Sequence, residues 1–178
     1  MENELFNDEC MDCIEEMSTG RRVDTEMIPV NAKELKSLDR RSGWEFKWHF
    51  HNLVNREETV FKLIVKNDPK REIQGLISFR PSTGFIWVGL VENAPHNRGF
   101  DRRYKEVFKN MYAFVGMRSF VAGFDGYIAF KSKTLLMDHY QREVGAKLVN
   151  FRDKIMEIDT EKSKKLVNLY YKKFFHGR

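Results

Sequence analysis

The spacing of apolar residues divides this chain into short elements. Residues 23–30 alternate weakly between apolar and polar positions after a break at Gly20, which predicts a strand. Asn31 can cap a helix over residues 32–40, and Ser42-Gly43 ends it. Trp44, Phe46, Trp48 and Phe50 then alternate with Glu45, Lys47 and His49, a period of two that fits either a strand or an arm over a ligand groove. From Thr59 the pattern is plain: strands over residues 60–65, 73–79 and 85–91 are separated by the turns Asn67-Asp68-Pro69-Lys70 and Pro81-Ser82-Thr83-Gly84. Turns this short join antiparallel neighbours, so the three strands form a meander.

The second half changes period. A helix is predicted from about Tyr104, with Val107, Met111, Phe114 and Val115 on its apolar side. A strand over residues 126–130 follows, and the long helix before it favours parallel pairing with its neighbour through a crossover. Leu136, Tyr140 and Val144 lie four apart on one face of a further helix, which Gly145 stops in the left-handed conformation. Residues 147–158 make a last long strand or a bent pair. Asp159 or Thr160 caps a C-terminal amphipathic helix over residues 160–178, with Leu166, Leu169, Tyr170 and Phe174 beneath. At the other end Cys10, Cys13, Ile14 and Met17 fall at i, i+3, i+4 and i+7, the buried stripe of a helix within an N-terminal helical segment, residues 1–22.

Length and composition narrow the classes. The 178 residues read as a single domain, and a hydrophobic fraction of 42% with 15 Phe excludes a disordered chain. With no run of 18 apolar residues and an acidic start, Met1-Glu2-Asn3-Glu4, neither a membrane span nor a secretory signal is expected, which predicts a cytoplasmic chain. Cys10 and Cys13 are spaced C-x-x-C without a second ligand pair for zinc, so packing is their expected role. His49 and His51 share one face of an extended segment but lack a third ligand, and no metal is expected.

Charge adds a candidate site. The net charge is +5, and the basic residues gather in two places, the tail from Lys162 to Arg178 and the loop from Arg98 to Lys109. The tail lysines fit the solvated face of an amphipathic helix better than a nucleic-acid patch. The loop is more telling, because there a strand delivers the chain into a helix N-terminus ringed by Arg98, Arg102, Arg103 and Lys105. Unpaired N–H groups and the helix dipole make such a junction an anion site, so a phosphate-bearing ligand is expected.

The order strand, basic loop, long helix, strand, and helix ending in Tyr140-x4-Gly145-Ala146 resembles the GNAT acetyltransferase superfamily over residues 23–158. The resemblance implies an α/β fold with a mixed, largely antiparallel central sheet, a splayed parallel strand pair and flanking helices. It implies an acetyl-CoA-dependent N-acetyltransferase that uses acetyl-CoA as a substrate without a metal. The acceptor would be an amine of a small molecule or protein rather than a nucleic acid. In the family the pantetheine arm enters the splay, so the backbones of Leu90 and Val91 would pair with its amides. The family loop, Arg/Gln-x-x-Gly-x-Gly/Ala, falls on Arg103-Tyr104-Lys105-Glu106-Val107-Phe108 when Met111 takes the following Leu position. A rival register, His96-Asn97-Arg98-Gly99-Phe100-Asp101, keeps one glycine but sets the helical stripe out of phase.

Three further residues take roles from the resemblance. Tyr140 matches the tyrosine that protonates the departing thiolate; its alternative is a core tyrosine. Glu92 matches a glutamate that serves as base, or else it caps the loop by accepting backbone N–H bonds. Lys133 falls where many relatives carry an asparagine near the pantetheine, and it could instead reach a phosphate or face solvent. Glu106 and Phe108 replace both small residues of the loop. A second reading therefore stands beside the enzyme: an inactive GNAT-like module that binds a protein or nucleic-acid partner.

Overall fold

The structure, a computed structural model, describes residues 9–176. Its strands are β1 (Cys10–Glu16), β2 (Arg22–Pro29), β3 (Thr59–Val65), β4 (Ile73–Pro81), β5 (Ile86–Asn93), β6 (Tyr104–Lys105), β7 (Ile128–Lys131), β8 (Lys147–Asn150) and β9 (Ile155–Ile158). They form one sheet in the order β6-β1-β2-β3-β4-β5-β7-β9-β8. The β3-β4-β5 meander is antiparallel, as is every other neighbouring pair except β5 and β7. The parallel pair is joined through helix α3 (Val107–Val121), since parallel strands need a long crossover.

The two faces carry separate cores. On one, α3, α4 (Met137–Val144) and α5 (Thr160–Tyr170) cover Leu63, Ile77, Phe79, Val88, Ile128 and Phe130. On the other, α1 (Ala32–Leu35) and α2 (Trp48–Val54), with the chain between them, enclose Leu35, Leu38, Trp44, Trp48, Val60, Leu76 and Ala94. The aromatic stretch is thus an arm running into a helix. Trp44 and Trp48 anchor it in the second core while Phe50 points out.

Several boundaries differ from expectation for local reasons. Residues 10–16 are a strand and not part of a helix; Met1 to Asp8 lie outside the described residues. Cys10 pairs with Thr25 and Ile14 with Val23, so β1 carries two extra residues in a bulge where Asp12 takes φ 51. That bulge puts Cys10, Cys13 and Ile14 on one buried side and mimics a helical stripe, whereas Met17 is exposed. A disulfide also joins Cys10 to Cys13 across it, beyond the packing role expected of them. Asn31 caps α1 by accepting from the Glu34 N–H at 2.8 Å, but the helix ends early because the Ser37 hydroxyl takes the Glu34 carbonyl at 2.7 Å. The expected helix start at Tyr104 moves to Val107, since Tyr104 and Lys105 are an edge strand on β1. Residues 147–158 are a bent pair, β8 and β9. Asp159 caps α5 by accepting from the Lys162 N–H at 3.0 Å, and Leu169, expected beneath, is 57% exposed.

Helix α3 is buried nearly all round, between the sheet and α5. The close approach to α5 depends on Gly116, where a β-carbon would lie 2.4 Å from Ser163 Oγ and 3.3 Å from Val167 Cγ2. Overpacking of this kind costs about 1–3 kcal/mol. Helix propensity returns about 1 kcal/mol for Gly to Ala. Gly116→Ala should therefore lower the thermal midpoint, and adding Ser163→Ala should recover it by removing the clashing hydroxyl. A Gly116→Ala protein as stable as the parent would show that the two helices do not meet at this point.

Candidate active site

The parallel pair comes apart at a defined place. Ile86 pairs with Ile128, Trp87 with Ala129 and Val88 with Phe130, and pairing stops there. On the other side of β5, Phe79 pairs with Val88 and Ser78 with Leu90, leaving Gly89 unopposed in a bulge. A bulge bends its strand and increases the local twist, so β5 veers from β7 beyond Gly89. A cavity of about 320 Å³ opens in the gap. Gly89, Leu90 and Val91 line one side, Lys131 and Lys133 the other, and Phe108, Tyr112, Phe130 and Tyr140 are part of its aromatic lining.

Tyr140 is held by rings. Its centroid lies 4.6 Å from Phe130, 5.3 Å from Phe108 and 6.2 Å from Tyr112. Gly145, at φ 70, ends α4 and lets the Ala146 N–H reach the Tyr140 carbonyl at 3.3 Å. Burial raises the Tyr140 phenol above its ordinary range, and the neighbouring Tyr112 hydroxyl acts the other way. Tyr112 is raised further, first by its complete burial and then by Tyr140. Both phenols keep their protons at neutral pH, the state a proton donor needs.

A second cavity, of about 340 Å³, lies at the N-terminus of α3. Asn97, Arg102, Tyr104, Lys105, Glu106, Val107, Lys109 and Glu143 line it, with Lys109 3.6 Å from the Glu143 carboxylate, while Asn93, Phe108 and His139 border both cavities. Glu106 adopts φ 70 and ψ 7 just before the helix, a left-handed conformation at the position where the family loop has its first small residue. Its carboxylate is already partnered: Arg22 donates at 2.6 Å and the Tyr170 hydroxyl at 3.1 Å. The Arg22 guanidinium is raised chiefly by this bond, and the Tyr170 phenol is pushed up by burial and then by Glu106. Lys105 pairs with Glu15 at 2.9 Å. Arg103 pairs with Glu72 and does not line the cavity, whereas Arg102 does.

Glu92 closes the opposite end. Its carboxylate accepts from the Glu45 N–H at 2.6 Å, from Trp48 Nε1 at 2.8 Å and from Arg98. Arg98 donates in turn to the carbonyls of Asn93 at 3.0 Å and Gly43 at 3.3 Å. This bracket holds the arm so that Glu45 and Phe46 line the cavity, with Lys133 Nζ 5.4 Å from the Phe46 ring centroid.

One cluster beside the bulge has no counterpart in the sequence expectations. The Glu58 carboxylate is buried, accepts from Ser78 Oγ at 2.7 Å, and lies 2.7 Å from His51 Nε2. Glu58 sits in the charged run Arg56-Glu57-Glu58, which reads as a solvated turn, so only the folded chain reveals it. Among the described residues no group of three or more His, Cys, Asp or Glu could hold a metal. None of the described helices is long and apolar enough to cross a membrane.

No protein-family model matches the chain, and no curated protein matches it. Solved structures do. AtaTR bound with AcCoA matches at 14% identity over 80% of this chain and 98% of that one, with a TM-score of 0.56. AtaT complexed with acetyl-methionyl-tRNAfMet matches at 13% identity over 80% and 99%, with a TM-score of 0.56. Mutant forms of the spermidine/spermine N-acetyltransferase SpeG from Vibrio cholerae match at 14% identity over 79% and 96%, with a TM-score of 0.53. At these identities the likeness is one of architecture, and the chain has the α/β fold of the GNAT acetyltransferases, with its mixed sheet and splayed parallel pair.

Proposed function

We propose that this protein is an acetyl-CoA-dependent N-acetyltransferase acting on an amine. The observation that carries the reading is the gap beyond Val88 and Phe130. It joins the open β7-side edge of β5 and a buried tyrosine to a basic helix N-terminus. Those N–H and C=O groups of Leu90 and Val91 that face away from β4, on the side where β7 no longer pairs, suit the amides of a pantetheine arm. The α3 terminus, with Arg102, Lys105 and Lys109, suits a pyrophosphate. Arg103 holds the loop through Glu72, and Lys133 closes the pantetheine side against Phe46. Tyr140, neutral and facing the gap, is the acid for the departing thiolate.

Two features bear on the inactive alternative. Glu106 places a carboxylate beside the expected anion site, and that carboxylate is paired with Arg22. Phe108 packs on Tyr112 and His139, at 4.9 and 5.0 Å between centroids, and so belongs to the cavity wall. Glu92 has three donors on its carboxylate, which supports the capping role over that of base. An amine acceptor fits the neighbours, one named for spermidine and spermine and one complexed with acetyl-methionyl-tRNA.

Calorimetric titration should show acetyl-CoA binding that weakens as salt rises, because part of it is screened charge. No heat at millimolar acetyl-CoA would end the enzyme reading. Tyr140→Phe should lower turnover by about 10²–10⁴-fold with little change in acetyl-CoA affinity. Turnover equal to the parent's would return Tyr140 to a packing role. Glu92→Gln should cost about 1–3 kcal/mol in urea unfolding, since it weakens a largely buried ion pair and its hydrogen bonds; unchanged stability would remove Glu92 from the bracket.

A further inference from the structure

We infer that Glu58, backed by His51, takes the proton from the acceptor ammonium at the β5 bulge. This rests on the acetyltransferase reading above and adds to it the group that generates the nucleophile.

The geometry is specific. A β-carbon built on Gly89 would fall 2.1 Å from both Glu58 carboxylate oxygens, so the carboxylate occupies the space a side chain at 89 would fill. Gly89 is itself part of the cavity wall, at the point where β5 leaves β7. The bare α-carbon therefore brings a carboxylate against the strand backbone directly behind the cavity wall, one glycine away from the gap proposed to hold the acetyl group and the incoming amine. The Glu58 side chain is 4% exposed, and burying a carboxylate this deeply costs free energy unless it is paired. Its partners are Ser78 from β4 and His51 from α2, and the adjacent Glu57 turns outward to Arg80 at 3.7 Å.

His51 makes the pair a proton route. Its side chain is 18% exposed, its Nε2 faces Glu58, and its Nδ1 lies 3.2 Å from Asn55 Nδ2. An imidazole exchanges protons near neutral pH, which a serine or arginine partner does not. The acceptor arrives as an ammonium and gives one proton to Glu58, which returns it to solvent through His51. The free amine then forms the C–N bond to the acetyl carbon as the C–S bond breaks. Tyr140 protonates the departing sulfur and is reprotonated, through water, by the proton lost from the new amide nitrogen. One proton is released for each amide formed.

The test is thiol release by the full-length protein at saturating acetyl-CoA. Spermidine, a lysyl peptide and a methionyl peptide serve as acceptor probes, across a pH series. Glu58→Gln should lower turnover near neutral pH by about 10²–10⁴-fold, and the deficit should shrink as pH rises and the acceptor loses its proton unaided. Acetyl-CoA affinity by calorimetry should stay within about twofold. His51→Asn, at a partly exposed position, should show a smaller deficit with the same pH trend, and it serves as the test if Glu58→Gln does not fold. An active parent whose variants lose nothing, or lose the same factor at every pH, overturns the proton role and leaves the acetyltransferase reading standing. A parent that binds no acetyl-CoA sinks that reading, and this inference with it.

Discussion

The structure depends on one interruption in a hydrogen-bond ladder. Without the extra residue at Gly89, β5 and β7 could continue to pair, and the space between them would close with side chains. Because the bulge falls on a glycine, it does two things at once. It turns the strand so that Leu90 and Val91 face a gap on the β7 side, and it leaves room for the buried Glu58 carboxylate. A β-carbon at this position would displace Glu58 and break its bonds to Ser78 and His51. The ladder, the gap and the carboxylate are thus coupled through a single missing methyl group.

The loop before α3 shows how a chain can keep a backbone shape after losing the residue that suits it. Glycine is the default for φ above zero because an ordinary side chain costs about 1–2 kcal/mol there. Glu106 adopts that conformation with φ 70, and its carboxylate gains a guanidinium and a phenol as partners. Those bonds, partly screened by solvent, offset a strain of this order. They also draw negative charge toward β2 and α5, which helps to leave the helix N-terminus open to an anion. The same contacts tie three distant parts of the chain together: Arg22 on β2, Glu106 before α3 and Tyr170 on α5.

Much of this was legible in the sequence where one period dominates. The meander, the helix ending at Gly145 and the strand after α3 follow from spacing, because each buries one face and has turn residues at its ends. Spacing misleads or stays ambiguous where two periods coincide. The bulge in β1 places Cys10, Cys13 and Ile14 together as a helical turn would, and the alternation over residues 44–50 fits a strand or an arm equally, of which the fold takes the arm, anchored by Trp44 and running into a helix at Trp48. The bracket around Glu92 and the cluster at Glu58 were beyond reach for another reason. Their partners lie as far as 47 residues away in sequence, and no local pattern records which carboxylate will meet which donor.

The two buried carboxylates flanking the gap therefore differ in chemistry although their residue type is the same. Glu92 is tied to Arg98, a group that stays charged at any accessible pH, together with a backbone N–H and an indole. All three partners only donate, so the Glu92 carboxylate is committed to holding the arm. Glu58 is bonded to a hydroxyl and an imidazole, both of which can donate or accept. When Glu58 gains a proton, Ser78 can turn its hydroxyl and His51 can change tautomer or pass the proton on, so no partner is stranded. A site that must take up and release a proton in every cycle needs this second kind of environment, and only the carboxylate at the bulge has it.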